Sequence, residues 1–326
     1  MELRSISIEQ VESAGYQSIC QQASADFFHH PPWLRFLSRL TDEGYLYLSG
    51  IFEKDLLIGL LPLWLDQKLG FRAPNRAPAT PYLGPVITLP EHPAKSAAKM
   101  EQLVELLTPT LKRYPLGRIF LPPEMNDVRP FISRGFAVLP RYTNRIIFHP
   151  KKELSFLPQL RNKIRRAEKA GLIVAPSEDV ETLIQLNKAT YLRQGEKSIF
   201  SENFLRQLMK QMTAEGWGRL WICHSPRGKA LACRLVLRDE LWGYDLLAAS
   251  ANREGDEEEV GAGPYLVAQI LEHLRGKVSG YDFCGANMPS IAAFKASFGG
   301  KLEPFFCINW GKFWARALSP ALARLS

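Results

Sequence analysis

Apolar positions along the chain follow two periods, and the switches between them outline the elements. "YLYLSGIF" (45–52) and "DLLIGLLPLWL" (55–65) are strand-like runs on either side of Glu53-Lys54-Asp55, which predicts a hairpin turning at those polar residues. "KSAAKMEQLVELLTPTLKRY" (95–114) then spaces its apolar residues as a helix does, with Pro109 placed to disturb the last turns. A strand in "GRIFLPP" (117–123), a short helix in "VRPFISRG" (128–135) and strand pattern in "FAVLPRYTNRIIF" (136–148) complete the first half. The proline-rich "GFRAPNRAPATPYLGP" (70–85) shows neither period and predicts a loop.

The second half repeats this order. "GRLWICHS" (218–225), a turn at "PRGKA" (226–230) and "LACRLVLRDELWGYDLLAAS" (231–250) predict a three-strand meander folding around Asp239-Glu240. A helix through "YLVAQILEHLRG" (265–276), the strand "GYDFCG" (280–285), a short helix in "SIAAFKASFGG" (290–300) and the strand "EPFFCINW" (303–310) follow. The two series align at a nearly constant offset: Gly59 with Ala232, Phe120 with Phe283, Gly135 with Gly299. Such a repeat implies two copies of one α/β unit, here expected as residues 1–150 and 151–326. Lys295 of the second copy falls opposite Phe131 of the first, so chemistry that needs an ammonium there belongs to the second copy alone.

Between the copies, "SFLPQLRNKIRRAEKAGLIV" (155–174) places Leu157, Leu160, Ile164 and Ala167 on one helical face and stops at Gly171. Arg161, Arg165 and Lys169 form a stripe beside that face, flanked by Lys163 and Arg166. Like charges one turn apart repel by a few tenths of a kcal/mol each. The stripe is either a solvated face or one that meets phosphate, which guanidinium forks bind in bidentate fashion.

Composition narrows the class. With 326 residues, 46% apolar and 23% charged, the chain has the make-up of a globular protein of about two domains. A formal charge of +8 suits an anionic, phosphate-bearing partner, with nucleic acid and acidic membrane surfaces among the candidates. Five scattered cysteines without a CxxC pair argue against a zinc or disulfide framework and for a reducing cytoplasm. No signal-peptide pattern opens the chain, and the longest apolar run, 56–65, is half a membrane span. The tail 310–326, with Trp310, Phe313 and Trp314 among basic residues, offers peripheral contact with an anionic membrane. No metal-ligand spacing, GxSxG motif or phosphate-loop fingerprint occurs.

In "SIAAFKASFGG", Ser290 suits an N-cap, Ile291, Phe294 and Phe298 recur at helical spacing, and Gly299 suits the stop. Lys295 sits at the edge of that apolar stripe, where an ammonium either complements the helix C-terminus from solvent or serves a site. "LRNKIRRAEKAGLIV" and "YDFCGANMPSIAAFKASFGG", with "FFHHPPWLRFL", "LIGLLPLWL" and "YLGP" in the first half, resemble the FemAB-like branch of the GNAT acyltransferase superfamily. The resemblance implies a mixed α+β protein of two tandem GNAT-like domains, each a mostly antiparallel mixed sheet flanked by helices, with the first degenerate. It implies transfer of an acyl or aminoacyl group to an amine in cell-envelope or polysaccharide metabolism. The donor would be acyl-CoA or aminoacyl-tRNA, a co-substrate rather than a tightly bound cofactor. The alternatives are a tRNA-dependent aminoacyltransferase of peptidoglycan precursors and a binding protein that has lost the reaction. No heptad-rich arm like that of some tRNA-using members is present in the pattern.

That resemblance makes Lys295 the catalytic residue, with Phe294 shaping the site. A fixed positive charge aimed at the oxyanion of a tetrahedral intermediate stabilises the transition state more than the ground state. Asp282 and Asp245 are candidates for orienting or deprotonating the acceptor amine, and Tyr244 for donating to the same intermediate. Arg161, Arg165 and Arg166 are expected to bind substrate. "EEVGAGPYL" (258–266) matches the turn that cradles pyrophosphate in coenzyme-A-using relatives, through Gly261 and Gly263. Glu258 stands where a basic or amide residue is expected, and the run 254–259 is acidic, which opposes a pyrophosphate.

Overall fold

The structure is a computed structural model that describes residues 1–40, 44–68, 71–251 and 261–311. The chain begins with β1 (Glu2–Ser5), α1 (Ile8–Val11), α2 (Ala14–Gln22) and α3 (Pro31–Ser38). Ser7 and Gln10 form a reciprocal capping box on α1, and Ser13 caps α2. Then come β2 (Tyr45–Glu53) and β3 (Leu56–Lys68), joined as expected at Lys54 and Asp55. Both residues take left-handed φ (48° and 65°), the two-residue turn whose twist matches that of paired strands. β4 (Phe71–Asn75) lies inside the segment expected to be a loop. It pairs antiparallel with the end of β3, and because it is an edge strand it tolerates Pro74.

β5 (Val86–Ile87), α4 (Pro93–Lys112), β6 (Leu116–Phe120), α5 (Arg129–Ser133) and β7 (Ala137–Ile147) follow. α4 runs through Pro109 to Lys112. The second half contains α6 (Pro158–Lys169), β8 (Ile173–Ser177), α7 (Val180–Arg193), α8 (Glu202–Glu215), β9 (Gly218–His224), β10 (Ala230–Arg238) and β11 (Trp242–Ser250). It ends with α9 (Ala262–Leu274), β12 (Gly280–Asp282), α10 (Pro289–Ala296) and β13 (Lys301–Gly311).

Two units divide these elements. One is Met1–Arg141 with the chain from Pro304 onward, the other Tyr142–Glu303. The sequence pattern put the division after residue 150. The difference arises because Cys307–Gly311 pairs with β6, and Arg145–Ile147 pairs with β12. Each unit is thus closed by a strand from beyond the expected boundary.

In the first unit β1-β2-β3-β4 form an antiparallel sheet with β5 also on β3. Its core joins Leu103, Val104 and Leu107 of α4 to Ile51, Ile119, Phe131 and Ile308. Phe131, the counterpart of Lys295, is fully buried there. In the second unit the order is β7-β12-β11-β10-β9-β8, antiparallel except for the parallel pair β11–β12. Leu266, Val267, Ile270 and Leu271 of α9 pack there against Trp221, Val236, Tyr281, Phe283 and Phe298. No helix among the described residues is long and apolar enough to cross a membrane.

Candidate functional site

In the second unit, the parallel pairing of β11 with β12 covers only Trp242–Tyr244 against Gly280–Asp282. From Asp245 onward β10 is the only strand that pairs with β11 among the described residues. A cavity of about 220 Å³ lies against that stretch, lined by Arg234, Ala249, Ser250, Gly263, Pro264 and Phe294 among others.

A bulge aims the charges. β10 and β11 shift register between Leu235 and Val236, so Asp245 stands opposite Val236. Side chains alternate along a strand, which puts Asp245 on the same face as Arg234. Without the extra residue Asp245 would point the other way. Arg234 Nη1 donates to Asp245 Oδ2, and both residues are buried. The guanidinium also lies over the Phe294 ring, 5.6 Å from its centroid. Burial raises the Asp245 carboxyl pKa, opposed by Arg234 and Lys295. The Tyr281 hydroxyl is buried beside the Asp245 carboxylate, whose hydrogen bond and charge, after burial, help raise the tyrosine's pKa.

Lys295 does not project into bulk water. Its half-buried ammonium donates to the carbonyls of Phe283 (2.7 Å) and Gly285 (2.6 Å), spanning Cys284, which holds a left-handed φ of 55°. Burial lowers its pKa, while the nearby Asp245 charge raises it and Arg234 lowers it further. Lys295 is not a lining residue of the cavity; its neighbour Phe294 is. α10 starts two residues earlier than the pattern suggests. Met288 is the N-cap and Pro289 the first helical residue, because proline is preorganised for that place and needs no N–H partner. Ile291 is exposed, and the stripe buries only Phe298 fully.

Asp282 is fully buried and occupied by donors: Thr143 Oγ1 at 2.6 Å, Arg145 Nε at 2.7 Å and the Cys284 N–H at 2.7 Å. Arg145 also reaches Glu303 (3.6 Å) and lies over the Trp242 ring. This clamp holds the turn that Lys295 grips from the other end. Tyr244 is equally buried, with its hydroxyl donating to Asp239 at 2.8 Å, so it closes the β10–β11 hairpin away from the cavity.

Gly261 and Gly263 differ in what they do. A Cβ on Gly261 would stand 2.8 Å from the Lys163 carbonyl oxygen and 2.8 Å from Ala167 Cβ, so its smallness lets α9 approach α6. A Cβ on Gly263 would meet nothing within 4 Å, and Gly263 lines the cavity. No side chain caps the first turn of α9, whose amides therefore suit an anion. The acidic residues 254–259 lie outside the described residues, as does the tail from 312 onward. On α6, Arg161, Lys163, Arg165, Arg166 and Lys169 are all exposed, over Leu160 and Ala167, which are buried. Among the described residues, no cluster of His, Cys, Asp or Glu could hold a metal ion.

The sequence, through its family resemblance for Lys295 and Phe294, names these two with Asp245 and Asp282, and the structure gathers all four around one turn and one cavity edge. Pattern reading missed Arg234, although a lone arginine inside the apolar run "LACRLVL" was the available signal.

Residues 155–296 match the family model described as an acetyltransferase (GNAT) domain. Among solved structures, FemX aligns over 94% of this chain and 97% of its own at 14% identity, with a TM-score of 0.67. The C-terminal domain of a putative lysylphosphatidylglycerol synthetase from Agrobacterium fabrum aligns over 96% and 97% at 13% identity, TM-score 0.57. A tandem GNAT protein from the clavulanic acid biosynthesis pathway aligns over 95% and 99% at 12% identity, TM-score 0.50. No curated protein matches by sequence. At such identities the likeness is one of fold. The cavity, the parallel strand pair and the matched segment lie together in the second unit, so residues 155–296 resemble a GNAT acetyltransferase domain within a chain that shares its fold with FemX.

Proposed function

We propose that the second unit transfers an acyl or aminoacyl group to an amine at the cavity beside α9 and α10. The observation that carries this reading is the cavity itself. It sits where β11 has lost its parallel partner, with Phe294 and Arg234 on one wall and the uncapped start of α9 on another. In the reaction the amine nitrogen forms a bond to the acyl carbon and the bond from that carbon to sulfur or oxygen of the donor breaks. The proton of the amine ends on the departing thiol or hydroxyl. Lys295 spends two N–H bonds on carbonyls and keeps a third, which in this reading donates to the oxyanion at the cavity edge beside Phe294. Asp245 holds Arg234 in place, and Asp282 supports the turn that Lys295 grips.

Acyl-CoA fits as donor, with its phosphates at the α9 amides and Gly263, whose open surroundings leave the backbone reachable. A tRNA-borne aminoacyl donor is the second reading, favoured by the exposed cations of α6, which suit a phosphate backbone. The names of the FemX and lysylphosphatidylglycerol synthetase neighbours support an acceptor of the cell envelope, reached from the cytoplasmic side with or without peripheral membrane contact. Thermal-shift titration with acetyl-CoA and free CoA tests the thioester version. Ligand at 100 times its Kd stabilises by about 2.7 kcal/mol, and no shift at millimolar concentration removes acyl-CoA as donor. Salt-sensitive retention on tRNA in the same preparation would then select the second reading. Failure of both would leave a binding protein without transfer.

A further inference from the structure

Arg234 has work left to do. Among the described residues that line the cavity it alone carries a charged side chain, and it is 7% exposed. Nη1 serves Asp245, but Nε and Nη2 have no acceptor among the described residues, and neither is sealed from solvent. An arginine this deeply buried normally has its fork occupied, because each unpaired buried donor costs free energy. The opening through which these donors meet solvent is the cavity. Its other described walls are mostly apolar, with Ala232, Ala248, Ala249 and Ala262 among them, and Thr190 and Ser250 add two hydroxyls.

Charge points the same way. Among the described residues, Arg234 and Lys295 bring two positive charges to this corner against the single carboxylate of Asp245, since Asp282 is committed to Arg145. The positive end of α9 adds to the imbalance. Phe294 beneath the guanidinium excludes water from one face and strengthens what the free edge can bind. At about 220 Å³ the cavity falls below the usual range of roughly 300–1,000 Å³ for drug-sized ligands. It encloses a group of a few heavy atoms, and the bulk of a coenzyme or tRNA donor would lie outside it.

We propose that Arg234 is the specificity residue of this cavity and takes a carboxylate there, so that the substrate lodged beside Phe294 is a small carboxylate-bearing group of the amino-acid type. The proposal rests on the acyltransferase reading for what happens to that group, but not for its binding. Planar carboxylate matches the guanidinium fork, and a neutral amide of the same shape does not.

Ligand-observed NMR titration of the full chain with propionate and with propionamide, at constant ionic strength, tests it. Propionate should bind about tenfold tighter than the amide, the factor expected of one charge-assisted contact. Arg234→Gln should erase the preference. Should that variant misfold because Asp245 is left unpaired, the double variant Arg234→Met/Asp245→Leu removes both charges and serves instead. Equal binding of the two probes by the unaltered protein overturns the proposal, as does a preference that survives loss of Arg234. Acyl transfer to neutral and carboxylate-bearing amines, assayed on the same samples, separates the two readings. A propionate preference without any transfer keeps the anion site and removes the acyltransferase reading. Transfer to neutral amines with no propionate preference keeps the enzyme and overturns the carboxylate site.

Discussion

Replacing Lys295 by methionine removes an ammonium from a place where water cannot fully substitute for it. The side chain keeps a similar length and flexibility, so little packing is lost. What goes is the pair of hydrogen bonds to the Phe283 and Gly285 carbonyls, at 2.7 and 2.6 Å. Bonds from a charged donor contribute about 1.5–3 kcal/mol each, and a buried carbonyl left unpaired adds a penalty. Against this, the ammonium is held in a partly desolvated place, as its lowered pKa shows. The net loss should be about 2 kcal/mol, or about 4–8 °C in the midpoint of a unit this size. Urea and thermal unfolding followed by circular dichroism measure it. Amide exchange should show the Phe283–Gly285 turn opening first, since Cys284 has a left-handed φ that this grip helps to hold. Turnover, read well below the new midpoint, should vanish as well. A stability change under about 0.5 kcal/mol would refute the grip, and near-normal turnover would remove Lys295 from the chemistry.

Two further perturbations test the framework. His29 is fully buried, with Nδ1 2.9 Å from Asp26 Oδ1 and Nε2 2.9 Å from the Gly84 carbonyl oxygen, so both nitrogens face acceptors and the ring carries both protons. Burial pulls its pKa down, but the charge and hydrogen bond of Asp26, helped by Gly84, outweigh that and leave it raised. A raised histidine contributes in full below its unfolded pKa of about 6.5 and loses that contribution as pH climbs through the folded value. Stability of the first unit should therefore fall above neutrality by up to about 1.4 kcal/mol per pH unit, a slope that His29→Gln should abolish in pH-dependent urea unfolding. Asp282→Ala should cost about 3–5 kcal/mol by stranding buried Arg145, and Asp282→Asn should cost less. Equal, small losses in both variants would show that the clamp is not ionic.

How far the sequence disclosed these features depended on whether a local rule governed them. The hairpin at Lys54-Asp55 and the meander of β9–β11 were readable because apolar runs broken by polar pairs specify them locally. Gly135 and Gly299, aligned as equivalents, both take left-handed φ after a short helix, so the repeat was legible through a backbone requirement. β4 was not, since its pairing with β3 is decided by a partner rather than by its proline-rich composition. The unit boundary was hidden for the same reason: nothing in "RIIF" says that it pairs with β12. In the site, Phe294 and Lys295 were named through the resemblance. The conversion of Lys295 into a grip on two carbonyls, and the burial of Asp282 under three donors, arise from tertiary contacts with no local signature. Arg234 depended on a bulge that turns Asp245 toward it, and a bulge is invisible to period-two reading. The "FFHH" and "YLGP" motifs acquire a physical meaning as well, because His29 of the one is bonded to Gly84 of the other.

The cysteines, noted at first only for their lack of a pairing pattern, bear on how acyl groups can move. Cys20, Cys223 and Cys233 have thiol pKa values pushed up to about 12 by burial. Cys284, the nearest to Lys295, is held well above the ordinary range by burial and by Asp282 and Asp245. A sulfur kept protonated is a poor nucleophile. Under the proposed transfer these four thiols would therefore not compete with the acceptor amine for the acyl group.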